Sequence, residues 1–243
     1  MNIFKKEKFW LLPLMVGMFL AVFGGRQIHN GAAANIVQMY VLIIRDAIVM
    51  GLILPSMALL LLRETDRFMT GRRLLAISSR GIWWKTFCGK VFMDCFFLTV
   101  VILVPALLTA VFLSGAGVSL WEWMYVLFLF LTFYLYFCMA SIGMLLLEIK
   151  FRQDILSVCF LLAASFLLNI FAFLFRPFGI PDIGSLLNLS FAMNETVFYS
   201  GIEKCQGICW LWCAGECAVF FVLLSVLVKA GRACIKRQDI FWG

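Results

Sequence analysis

Four ionisable side chains lie inside long apolar stretches of this 243-residue sequence: Arg45, Asp46, Asp94 and Glu216. Hydrocarbon solvates charge poorly, so such residues pair with another group, carry a neutralising proton or line a polar cavity. Glu216 follows Ile208 by eight residues and precedes Lys229 by 13, which is about 12 Å and 20 Å along a helix. Because neither water surface is within easy reach, Glu216 is the strongest candidate, and a functional role and a structural hydrogen bond both remain open.

Depth in the membrane separates the other three residues. Arg45 and Asp46 precede Arg63 by 18 and 17 residues, about 27 Å and 26 Å along a helix, so they lie near the opposite surface, where Arg45 can reach headgroups. Asp94 follows Lys90 by four residues, about 6 Å along the helix, and it either pairs with Lys90 or meets water. Asp46 and Asp94 therefore lie near opposite faces, which argues against a catalytic pair of aspartates.

The nine cysteines do not form a metal-binding pattern. The sequence contains no C-x-x-C pair and His29 is its single histidine, so it does not favour a tetrahedral zinc site. Four cysteines recur at every fourth position and stay on one side of a helix, with a drift of about 40° per step: Cys205, Cys209, Cys213 and Cys217. Small side chains on one face let helices approach closely, so packing is favoured over redox or metal chemistry.

The chain that must position these residues is 64% apolar and only 14% charged, whereas a soluble domain is about one quarter charged. This composition excludes a soluble enzyme and predicts an all-α polytopic membrane protein, since a helix satisfies its own backbone groups in lipid. About 20 apolar residues cross a bilayer core. We predict one domain, residues 1–243, with six transmembrane helices, the first and third kinked by Pro13 and Pro105. The six spans are 9–25, 36–62, 91–113, 120–147, 155–175 and 208–228.

Basic residues set the predicted orientation. With the N-terminus inside, 16 Lys and Arg fall in inner segments and 3 in outer segments, a positive-inside pattern that puts both termini in the cytoplasm. The eight tryptophans lie near span ends or in flanking segments, as expected of interfacial anchors: Trp10, Trp83, Trp84, Trp121, Trp123, Trp210, Trp212 and Trp242. A cleaved signal peptide is the less favoured alternative for the first span, which is long for a signal and has no clean A-x-A site after it.

Two loops are large enough to hold further structure. The inner loop, residues 63–90, is both basic and leucine-bearing, and one part of it is predicted to form a short amphipathic helix that docks on a partner or lies on the membrane. That part consists of Thr70, Gly71, Arg72, Arg73, Leu74, Leu75, Ala76 and Ile77. The plainer interpretation is a topogenic loop whose arginines contact lipid headgroups. In the outer loop, 176–207, residues 185–193 form a second short candidate helix, either re-entrant or interfacial, with an ordinary surface loop as the alternative.

The loop motifs and the topology together resemble the permeases of ABC-2-type exporters, most of all the small six-span permeases of bacterial peptide-antibiotic immunity and multidrug exporters. The elements that carry the resemblance are Arg63-Glu64, Thr70-Gly71, Leu74-Leu75, Ser78-Ser79-Arg80, Lys90 and the basic tail 232–240. The family usually has Gly before Thr, and this chain has the reverse order. The resemblance implies that residues 70–77 are a coupling helix seated in a groove of a separate ABC ATPase subunit.

The same resemblance implies an exporter subunit in the bacterial cell membrane that pairs with a second permease, as a homodimer or a heterodimer, and moves a peptide, drug or lipid-like substrate. The sequence has no G-x-x-x-x-G-K-[ST] motif, so ATP and Mg²⁺ are expected on the partner ATPase, with no catalytic residue, cofactor or nucleic-acid site in this chain. A membrane-embedded enzyme such as an intramembrane protease is the alternative, although neither H-E-x-x-H nor G-x-S-x-G occurs. A non-transporting anchor or sensor is a third possibility, weakened by the lack of a sizeable soluble region.

Overall fold

The computed structural model describes residues 11–30, 80–114, 120–151, 156, 159 and 207–237, and within these residues the chain is helical with no strand. Four long helices are present in this part of the chain. They are α1 (Leu11–His29), α2 (Arg80–Ser114), α3 (Leu120–Phe151) and α4 (Gly207–Arg237). Several predicted elements lie outside the described residues. They are the second predicted span, the inner segment 70–77, the outer segment 185–193 and all but two residues of the fifth predicted span.

Three of the four helices contain an apolar stretch long enough to cross a membrane: Gly81–Thr109, Val126–Leu147 and Cys217–Ile235. The apolar part of α1, Pro13–Phe23, is shorter. Predominantly apolar stretches of this length are typical of transmembrane helices. Within the described residues the structure is helical, and these three helices indicate a membrane protein. They overlap the third, fourth and sixth predicted spans, and the prediction of six spans stays a prediction.

The start of α2 differs from the sequence prediction. The third span was expected to begin at residue 91, after an inner loop, but α2 begins at Arg80 and continues for 35 residues, about 52 Å. Trp83 and Trp84 are 2% and 3% exposed, and both stack on the buried ring of Phe87, with centroids 5.6 Å and 6.3 Å apart. These two tryptophans pack against neighbouring helices, and their prediction as interfacial anchors stays a prediction. Basic residues indicate where a segment leaves the membrane, but they do not end the helix itself. The helix continues as long as its apolar face packs against a neighbouring helix.

The two prolines that were predicted to kink helices lie in α1 and α2. Pro13 is the third described residue of α1, and residue 9, four positions before it, lies outside the described residues, so the kink at Pro13 stays a prediction. Pro105 lies inside α2, which continues past it to Ser114. Without an N–H on Pro105, the carbonyl of Val101 lacks its usual helical donor.

Helix α2 is the centre of the described bundle, since it contacts α1, α3 and α4, and α3 also contacts α4. At Gly17, α1 lies directly against the backbone of α2. A Cβ on Gly17 would collide with the Val101 carbonyl oxygen and would lie 3.4 Å from Cγ of Pro105. Glycine therefore lets α1 approach the backbone of α2 at the carbonyl that Pro105 leaves without a donor, where a Cα–H contact can replace part of the missing hydrogen bond.

Helices α2 and α3 are antiparallel and share a buried polar contact. The Sγ of Cys95 lies 3.2 Å from Oγ of Ser141, and Thr99 Oγ1 donates to the Cys95 carbonyl at 2.8 Å. Further along α2, the Phe96 ring packs edge-on against Tyr134, with centroids 6.1 Å apart. Hydrogen bonds between small polar side chains are a common way for membrane helices to hold each other.

Candidate functional site

One end of the bundle is formed by the start of α2 and the last turns of α3 and α4. The Nε1 of Trp84 donates a hydrogen bond to the carbonyl of Val228 at 3.0 Å. Gly231 is buried against the same indole, and a Cβ at this position would collide with it and would lie 3.1 Å from Cδ2 of Leu146. We call Trp84, Leu146, Val228 and Gly231 the Trp84 clamp, because together they hold three helices at this end.

The clamped end of the bundle is basic. Lys85 on α2 and Lys229 and Arg232 on α4 are all exposed, and each is a direct sequence neighbour of a clamp residue. These cations belong to the segments that the positive-inside pattern assigns to the cytoplasm. The clamp thus brings together in space two basic segments that are far apart in the sequence.

Asp94 is engaged by Lys90. The Nζ of Lys90 lies 2.9 Å from Oδ2 and 3.1 Å from Oδ1 of Asp94, so the ammonium group contacts both carboxylate oxygens. The Lys90 side chain is 36% exposed and that of Asp94 is 14% exposed, which places the pair at the edge of the bundle. A pair four residues apart on a partly exposed helix contributes about 0.5 kcal/mol or less. Of the two environments that the sequence allowed for Asp94, the pair with Lys90 is the one observed.

Glu216 is the tenth residue of α4, but its side chain is outside the described residues. Among the described side chains, the apolar stretch of α4 covers Cys217–Ile235, which overlaps the predicted span 208–228. The predicted depth of Glu216, about 12 Å inside the span, stays a prediction. Arg45, Asp46 and residues 70–77 also lie outside the described residues, so the geometry brings no predicted site residues together apart from the Asp94 pair.

The cysteines of the described residues are free thiols rather than disulfides: Cys88, Cys95, Cys138, Cys159, Cys217 and Cys234. No group of three potential metal ligands occurs in this part of the chain. Cys217 is half-buried on α4, and the side chains of the other three cysteines in the four-residue series are outside the described residues.

Sequence reasoning missed the buried polar contact between α2 and α3 and the Trp84 clamp. Cys95, Thr99 and Ser141 each lie in an apolar run where a single small polar residue looks unremarkable. The repeat of apolar residues at Trp83, Trp84, Phe87 and Cys88 on one helical face was the available signal that the helix extends to Arg80.

Comparison with known proteins gives no family for this chain: no protein-family model matches it, and neither does any curated protein or solved structure.

Proposed function

We propose that this chain is the membrane-spanning permease subunit of an ATP-driven exporter of the ABC-2 type. It has six transmembrane helices with both termini in the cytoplasm. It pairs with a second permease and takes its energy from a separate ATPase. The substrate belongs to the peptide, drug or lipid-like compounds that such exporters carry. This proposal rests on the resemblance of the inner loop and of the topology to that family, and on the way in which α2 begins.

The observation that most supports the proposal is the position of Arg80, the first residue of α2. It follows Ile77, the last residue of the proposed coupling helix, by three residues. A displacement of residues 70–77 by an ATPase would therefore pass almost directly into a continuous 35-residue helix. Rigid helices that connect two sites are suitable carriers of such a displacement.

The Trp84 clamp supports the same proposal from the side of the bundle. Trp84 lies in the second turn of α2 and joins it to α4 through Val228 and Gly231. When the start of α2 moves, α4 and the end of α3 are expected to move with it. A permease needs this kind of coupling, because its cytoplasmic end must rearrange as a unit when the ATPase subunits close.

An intramembrane aspartyl protease is the less favoured function. Such an enzyme uses two carboxyl groups that share a proton. Asp94 is instead ion-paired with Lys90, and Asp46 was expected near the opposite membrane face. A non-transporting anchor would not need a helix that continues from a docking segment into the centre of the bundle.

The first experiment is affinity purification of the full chain from its native membranes in mild detergent, with mass spectrometry of the proteins that remain bound. We expect a P-loop ATPase at a ratio close to one per permease. Recovery of the chain as a stable assembly that contains no P-loop ATPase would contradict the exporter proposal.

The second experiment changes the proposed coupling helix. Leu74→Asp/Leu75→Asp is expected to reduce co-purification of the ATPase at least tenfold, because two charges replace apolar contacts in the groove, while membrane abundance stays unchanged. The matched control, His29→Asp/Asn30→Asp, adds the same two carboxylates at exposed positions at the end of α1, outside the three long apolar stretches, and should retain the ATPase. Equal retention of the ATPase by both variants would remove residues 70–77 from the docking surface.

A further inference from the structure

Helix α4 carries an exposed stripe that changes from apolar to cationic towards its C-terminal end. Val222 and Val226 are 59% and 56% exposed, and Lys229 and Arg232 are exposed as well. Positions 222, 226 and 229 follow the spacing that places residues on one side of a helix, with Arg232 one turn later beside them. We call these four residues the α4 stripe. The buried residues of this part of α4, such as Phe220, Leu224 and Ile235, lie on its other side.

The two cations of the α4 stripe lie within a membrane-crossing segment, because Cys217–Ile235 is one of the three apolar stretches long enough to span. A lysine or arginine in such a segment requires a partner of opposite charge or access to the headgroup region. Among the residues that the structure describes, neither Lys229 nor Arg232 forms an ion pair. The compensating group for these cations is therefore either outside the described residues or in the lipid headgroup region.

We propose that the α4 stripe binds an anionic phospholipid. Its phosphate is held by Lys229 and Arg232, and an acyl chain lies along Val226 and Val222, which are about 5 Å and 10 Å from Lys229 along the helix axis. The lysine stem follows the apolar surface while its ammonium group reaches the phosphate. A soluble acidic protein could contact the two cations but not the exposed valines deeper in the membrane, so the apolar part of the stripe favours lipid.

The lipid site does not depend on the proposed transport function. Its position in the cytoplasmic leaflet follows from the predicted orientation of the basic segments. The site can be tested on the purified permease chain without any ATPase, so that failure of the lipid proposal and failure of the exporter proposal give different results.

The test is native mass spectrometry of the full chain in detergent, titrated with phosphatidylglycerol and with phosphatidylcholine of the same acyl chains. We expect the wild-type chain to bind the anionic lipid more tightly. Lys229→Gln/Arg232→Gln should bind it about thirtyfold more weakly and should lose the preference over phosphatidylcholine, as removal of two cations near a membrane surface implies. The preference of the wild-type chain should also decrease as salt is raised.

The matched control for the single variants Lys229→Gln and Arg232→Gln is Arg26→Gln, which removes one exposed cation on α1, outside the clamped end of the bundle, and gives the same net charge as either single variant. It should bind phosphatidylglycerol like the wild-type chain. Competition by soluble glycerol phosphate distinguishes a free-anion site from a lipid site, because the soluble anion lacks the acyl chain that contacts Val222 and Val226. Each single variant should bind the anionic lipid about fivefold more weakly, and the two carry the test should the double variant fail to give a folded monodisperse sample.

Three results would overturn the proposal. One is an unchanged lipid preference in the double variant or in both single variants. Another is an equal loss in the control, which would show a general effect of charge. The third is displacement by glycerol phosphate at the concentration at which the lipid itself binds, which would assign the cations to a soluble anion.

Discussion

A methyl group at residue 231 provides a quantitative test of how the described helices pack. A Cβ there would overlap Cζ2 and Cη2 of Trp84 and would lie 3.1 Å from Cδ2 of Leu146. The indole is not free to turn away, because its Nε1 donates to the Val228 carbonyl at 3.0 Å. Overpacking of this kind costs about 1–3 kcal/mol, and loss of the hydrogen bond adds about 0.6 kcal/mol. The better helix propensity of alanine returns about 1 kcal/mol. We therefore expect Gly231→Ala to lower the free energy of unfolding by about 2 kcal/mol.

The assay is reversible unfolding in mixed micelles with increasing SDS, followed by circular dichroism. Gly215→Ala is the control in the same helix, because a Cβ at Gly215 meets no atom within 4 Å. This control should be neutral or stabilising by up to about 1 kcal/mol. In the Trp84→Phe background, where the colliding indole atoms are missing, Gly231→Ala should cost less than half as much as in the wild-type chain. Equal unfolding midpoints for Gly231→Ala and Gly215→Ala, or a cost that Trp84→Phe leaves unchanged, would refute the described clamp.

Two further predictions concern α1 and α4. Gly17→Ala should destabilise the chain by about 2 kcal/mol or more in the same assay, because its Cβ would meet the Val101 carbonyl of α2, and backbone cannot rotate away as a side chain can. The control is Gly89→Ala, where the added Cβ meets open space. Equal unfolding midpoints for the two variants would contradict the contact. At Glu216, the Gln variant should preserve transport in cells and the Leu variant should impair it at equal membrane abundance, because Gln keeps hydrogen-bonding groups and Leu does not. Full transport by the Leu variant would show that this carboxyl group has no functional role.

The sequence predicted the helical membrane class and the approximate positions of the helices because these depend on length and polarity alone. The segment 120–147 lies inside α3, and 208–228 lies inside α4. Runs of apolar residues reveal that a segment can cross lipid, but they do not reveal where its helix ends. That is why α2 begins 11 residues before the predicted boundary at residue 91.

The contacts between helices could not be predicted in the same way. Whether Trp84 faces headgroups or a neighbouring helix depends on the rotation of α2 about its axis. It also depends on Gly231, far away in the sequence, because a side chain there would collide with the Trp84 ring. The pair formed by Cys95 and Ser141 likewise exists only because α2 and α3 pack side by side. By contrast, the Lys90–Asp94 pair follows from four-residue spacing within one helix, so the sequence already offered it as one of two outcomes.

The meeting of Gly17 with the Val101 carbonyl restricts the order in which this part of the sequence can evolve. Pro105 removes the donor that an ordinary residue would give to that carbonyl, and a buried polar group without a partner is costly in lipid. With glycine already at residue 17, α1 can approach and cover the carbonyl as soon as proline appears. With any larger residue there, the same mutation to proline would create a less stable intermediate. Glycine first and proline second is therefore the accessible mutational path, and reversion of Gly17 becomes harder once Pro105 is fixed.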